Sequence, residues 1–280
     1  MITQEAAVRL NRAAIGLQKR LEIDRIATQH KPRFAAFFRN QKTRTLEEFR
    51  KYQFLFTESY RALREEVRPN EFLTTHDWDR LWQEVGRDTF DELQKTIVNT
   101  EADGLIKGAL QFKKILPTDK TTFNLANPRA VEWFLKNGGS VDYIKGINTT
   151  TSNQIKTIIR QAIDEGWSYT QTAKEISDKF DEFSRERAKS IAIYETGSAY
   201  EQGNMLFAQS LEDDGIRMVK TWMTSHDDQV SEGCQENEDE GPIPINQYHR
   251  SGHMQPPRFP GRGGSGGCRC YEIYEQAPAN

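Results

Sequence analysis

The chain has 280 residues, of which 36% are apolar and 28% charged, with a formal net charge of −3. That length suggests roughly two domains and suffices to bury a core, although the apolar share is low against an ordinary ~45–50% counted with glycine. No stretch approaches the ~18 apolar residues of a membrane span, and three cysteines exclude a closed disulfide framework, fitting reduced thiols or metal instead.

The first residues, Met1 to Glu5, have neither the basic start nor the apolar stretch of a signal peptide, so synthesis and use in a cytoplasm are expected. Residues 1 to 70 carry 15 Lys+Arg against 8 Asp+Glu. Such a basic end can track phosphates, dock on an acidic protein or form a plain solvated face. Val8, Leu10, Ile15, Leu17, Leu21, Ile23 and Ile26 recur at helical spacing and predict an apolar helix face that stops before Pro32. A second helix is predicted from Arg33 to Val67, ended by Pro69. Its aromatics Phe34, Phe37, Phe38, Phe49, Phe54 and Phe56 read best as packing between long helices.

Thr75 or Asp77 caps a third helix, with Trp78, Leu81, Trp82, Val85, Phe90 and Leu93 on its inner side. Gly104 and Gly108 interrupt the helical pattern beyond it, and the polar run from Pro117 to Asn124 suggests a domain boundary. Asn127-Pro128 reads as a helix start. Thr151-Ser152-Asn153-Gln154 and Ser168-Tyr169-Thr170-Gln171 both fit a capping box, each opening a helix, with Gly166 between them. A longer helix is expected from Ser184 to Leu211. Its small residues Ala188, Ala192, Thr196 and Ala199 let a neighbouring backbone come close, while Glu195 beside them reads as a cap or an ion-pair partner.

After Gly215 the period becomes that of a strand, in Arg217 to Met223 and again in Cys270 to Tyr274, with a short edge strand at Pro242 to Ile245. All three cysteines and His226, His249 and His253 fall between Trp222 and Cys270. On a strand, Cys268 and Cys270 would share a face, with Arg269 on the other. A zinc ion would take Cys234, Cys268 and Cys270, with His253 as fourth ligand and His249 as runner-up. The alternative is three small buried thiols, with Cys234 packed nearby or disulfide-linked. The Gly-rich stretch from Gly261 to Gly267 reads as linker, since no Lys-Ser/Thr pair or helix comes after it.

Trp222, Thr224, Asp227, Val230, Cys234, Gly241, the prolines through Pro257, and Cys268-Arg269-Cys270 together resemble the signature of the phage head morphogenesis family, the phage Mu F-like minor head proteins. Arg187-Ala188, Ile191-Ala192 and Glu195-Thr196 resemble the pattern that precedes it. The family commonly carries a histidine or a Cys-x-x-Cys pair where this chain has Ser231 and Cys234. The motif residues carried over are Trp222, Asp227, Val230, Gly241, Pro257 and Arg269.

The resemblance implies a minor capsid protein of a tailed double-stranded DNA phage. Such a protein acts in head assembly near the portal, and in DNA packaging or ejection. Its expected partners are the portal or major capsid protein and, non-specifically, phage DNA. Its expected place is the virion, in the head interior or beside the portal, after assembly in the host cytoplasm. No catalytic residue is assigned, and structural zinc is the one cofactor considered. The other readings are a metal-dependent enzyme or toxin-like effector carried in the particle, and a non-specific DNA-binding assembly factor. The expected fold is α+β. Residues 1–118 form an elongated helical, partner-binding region, and 119–280 a head morphogenesis domain of helices on a small antiparallel sheet. That second domain is expected to fold without residues 1 to 70.

Overall fold

The computed structural model describes residues 4–57, 75–115, 128–137, 141–228, 230–256 and 268–278. The fold is α+β: long helices dominate, and a small antiparallel sheet closes the chain. The helices are α1 (Gln4–Arg50), α2 (Thr75–Ile115), α3 (Pro128–Asn137), α4 (Val141–Asp164), α5 (Tyr169–Asp213) and α6 (Glu232–Asp239). The strands are β1 (Met218–Met223), β2 (Ile243–Pro244) and β3 (Tyr271–Gln276), in the order β2-β1-β3. Among the described residues no helix is long and apolar enough to cross a membrane.

Several helices run further than local signals suggest. α1 passes straight through Pro32. The ring is exposed, and so is Thr28, whose carbonyl loses its donor and can bond water instead. Phe34, Phe37 and Phe38, fully buried just beyond, favour continuing the helix. The rest of the second predicted helix, with Pro69, lies outside the described residues. α4 begins well before the capping box at Thr151, whose hydroxyl instead bonds back to the Ile147 carbonyl at 3.2 Å. Ser168 does cap α5, its Oγ accepting from the Gln171 N–H at 3.1 Å, and Gly166 makes the preceding turn at φ +71°. α5 then continues without a break past Ser184.

Gly104 and Gly108 do not interrupt α2. They are where α5 comes close. A Cβ on Gly104 would lie 2.8 Å from the Thr196 carbonyl oxygen, and one on Gly108 2.0 Å from that of Tyr200. The expected small-residue face of α5 thus meets the glycines of α2.

The chain forms two compact units, each built from separated stretches. One comprises Met1–Lys31, Ile97–Gly138 and Lys189–Asn280, the other Pro32–Thr96 and Gly139–Ala188. The boundary expected near residue 118 lies outside the described residues. Residues 1–31 thus group with 97–138 and 189–280.

In the second unit the aromatics of α1 pack as expected, Phe38 lying edge-on to Phe183 at 6.0 Å. Arg187 lies over both rings, at 5.0 and 5.2 Å, and donates to the Ile147 carbonyl at 2.9 Å. In the first unit Phe112, Phe207, Leu211, Met218, Ile245 and Tyr274 share a core beneath the sheet.

The buried face of α1 there is only partly the predicted one, since Ile26 is buried as expected but the leucines are not. Leu10 and Leu21 are each 61% exposed, while Gly16, Lys19 and Ile26 on the opposite side are buried. Hydrophobic spacing located the helix but only part of the face it buries.

Candidate functional site

The register of β1 against β3 pairs Lys220 with Tyr274 and Trp222 with Glu272. Residues two apart on a strand share a face, so these four side chains lie on one side of the sheet. β2 covers only Val219 and Lys220 and ends at Pro244, which suits an edge, as expected. Beyond β1, Ser231 takes the extended conformation of an N-cap and starts α6, which turns Cys234 and Asn237 inward. Thr224 is buried, and its hydroxyl donates to Glu238 Oε2 at 2.7 Å.

Cys234 meets Cys268 and Cys270, with the three Sγ atoms all within 4.8 Å of one another and Cys234 3.9 Å from Cys268. The last two cysteines precede β3 rather than lying on it, correcting the expected strand alternation. Cys268 and Cys270 are both harder to ionise than a free thiol. Hydrogen bonding to Cys234 is the largest influence on Cys268, whose thiol is pushed up to about 11, and Cys270 is raised further for the same reason. Three thiolates here need a cation, and binding one would release protons.

The donor set suits a soft or borderline metal. Zn–S bonds of about 2.3 Å place tetrahedral sulfurs about 3.8 Å apart, close to the Cys234–Cys268 separation. Among the described residues the group holds the three cysteines alone. His253 is half-buried in its loop, with Nδ1 3.0 Å from the Ser251 carbonyl oxygen. His249 is engaged elsewhere, its Nε2 2.7 Å from Glu272 Oε1 and its Nδ1 3.2 Å from Glu240 Oε2.

Five of the six motif residues fall among the described ones. Asp227 forms an ion pair with Arg269, joining the segment after β1 to the Cys-Arg-Cys lead into β3. Trp222 is fully buried, edge-on to His249 with ring centroids 5.1 Å apart. Gly241 has φ +76°, a left-handed backbone that a side chain would strain. Val230 is half-buried, its N–H bonding the Asp227 carbonyl at 3.2 Å, and Pro257 lies outside the described residues.

Residues 153–271 match the model of the family described as phage Mu protein F like protein. The chain carries a Mu F-like domain. No curated protein and no solved structure matches the chain. The family is one of phage head morphogenesis proteins, which associates the chain with the virion and with other head proteins.

Next to these motif residues lies a buried charged network that sequence reasoning missed. Glu272 is fully buried, accepting from Tyr274 Oη and lying 3.9 Å from Lys220 Nζ as well as against His249. Lys220 Nζ donates to the Met254 carbonyl, and burial pulls its pKa down. Glu201, on α5, is buried alongside and meets Lys19 of α1, which lies outside the matched residues. A signal existed in the charged residues Lys220 and Glu272 inside otherwise apolar strands. Nothing in the spacing could join them to Lys19.

Glu195 is buried. Together with Glu101 and Cys268 it raises the phenol of Tyr194, which burial chiefly pushes up to about 12.

Proposed function

We propose that the protein is a minor head component of a tailed double-stranded DNA phage, acting in head assembly beside the portal. The observation that carries this is the Mu F-like match over residues 153–271. In this reading the portal or major capsid protein is the direct partner, and the chain works by assembly rather than catalysis. The arrangement nearest to an acid–base pair, His249 with Glu272, has both side chains shut off from solvent, where a substrate would have to reach them.

Contact with DNA is a secondary part of the proposal. Arg12, Lys19, Arg25, Lys42, Arg44 and Lys51 are all in ion pairs within the chain, which lowers the charge the basic end can offer phosphates. Binding is therefore expected to be weak, independent of sequence and lost toward physiological salt. Cys234, Cys268 and Cys270 are proposed to hold a structural zinc ion that ties α6 to the lead into β3.

Quantitative mass spectrometry of purified particles, with and without the genome expelled, tests the main reading. A few copies per head are expected. A chain absent from particles, or present at the copy number of the main shell protein, would contradict it.

A further inference from the structure

Lys19 is 2% exposed on a helix whose nearby leucines face solvent. A buried ammonium is costly unless it is paired and fully hydrogen-bonded. Both conditions are met. Its Nζ lies 3.2 and 3.0 Å from the two carboxylate oxygens of Glu201 and 2.5 Å from the Glu272 main-chain carbonyl, with the Tyr274 ring centroid 5.5 Å away. The three N–H bonds of an ammonium therefore meet three acceptor oxygens.

The fit extends along the helix. A Cβ on Gly16 would fall 2.0 Å from Cζ of Tyr271, and Arg12 pairs with Glu275 at 2.7 Å. Arg12, Gly16 and Lys19, four and three residues apart, make one face of α1. That face meets β3, a strand paired among the described residues with β1 alone, and Lys19 occupies one of its carbonyls. An uncovered edge strand invites pairing with another chain.

We propose that residues 12–19 of α1 are a built-in ligand of β3 and the part of α5 beside it. Lys19 fills an ammonium site made by Glu201, the Glu272 carbonyl and the Tyr274 ring, and β3 is held closed at its edge only while this helix is seated. The site is specific for a primary ammonium carried on a helix, with a glycine one turn before it to admit Tyr271. A partner that drew α1 away would uncover the ammonium site and the strand edge together. This inference stands independently of the role in the phage head.

The test uses the full-length protein. Lys19→Met is expected to lower the melting temperature by roughly 10 °C. Amide exchange in Tyr271–Gln276 is expected to accelerate at least about tenfold, while exchange at residues 155–162 of the other unit stays unchanged. Because Lys19→Met alone could yield no folded protein, Lys19→Met/Glu201→Gln is measured beside it. Removing the charge with its partner is expected to recover more than half of the loss. An unchanged melting temperature in Lys19→Met, exchange that rises equally everywhere, or a double variant no better than the single would each overturn the proposal.

Discussion

Glu201 is 1% exposed, and burial pushes its carboxyl up to about 7 while Lys19 pulls the other way. An unfolded chain gives up that proton near pH 4.3, so between roughly pH 4.3 and 7 the folded state binds more protons than the unfolded one. Stability from this group is fully present below that window and falls as pH rises through it. Denaturant midpoints between pH 5 and 7 are expected to fall with pH in the wild type, and Glu201→Gln should remove that part of the slope. An identical slope in both proteins would assign it to other groups. At the cysteines, protein purified without chelator is expected to carry about one zinc per chain, and Cys234→Ser less than about a tenth. Wild-type protein with as little zinc as the variant would end the metal reading. The three thiols were legible because cysteine is scarce and all three fall in one stretch of the chain. A fourth ligand was not, since His249 is held by Glu240 and Glu272, and sequence alone gives no reason to place two carboxylates beside it.

At the scale of elements, α2 and α5 meet where neither tolerates a side chain. A Cβ on Gly203 would lie 2.1 Å from the Leu105 carbonyl oxygen, as Gly108 would clash with Tyr200 from the other side. The obstacle in both cases is backbone, which cannot swing away. Gly108→Ala or Gly203→Ala is expected to destabilise by about 1–3 kcal/mol or more in chemical denaturation. Gly86 is a control in the same helix α2. No described atom lies within 4 Å of an added Cβ there, so Gly86→Ala should be neutral or stabilise by up to about 1 kcal/mol. Equal losses in all three variants would point to helix propensity rather than close approach. The helices and strands themselves were largely legible, down to the Ser168 cap and the Pro244 edge strand. Their lengths were not, because proline and capping residues mark where a helix can end, and burial of Phe34, Phe37 and Phe38 decides whether it does. The face of α1 was partly misread for a related reason. Apolar periodicity assumes that leucines go inward, and here the inward position is taken by a lysine whose partners lie far along the sequence.

For the whole molecule, the grouping of residues 1–31 with 189–280 sets what can be removed. A chain lacking residues 1–31 is expected to lose the cooperative unfolding transition of that unit, seen by near-ultraviolet circular dichroism at Trp222. Retention of a sharp transition would show that the Mu F-like domain stands alone after all. The same grouping has a consequence for synthesis. Lys19 and the Glu272 carbonyl are 253 positions apart, and Arg12 and Glu275 are 263 apart. On the ribosome the first helix emerges about 250 residues before the strand that receives it. At about 5–20 residues per second, α1 waits on the order of ten seconds or more with its leucines and its unpaired lysine in water. Completion of this unit therefore waits for β3, and until then α1 is open to association through its exposed leucines.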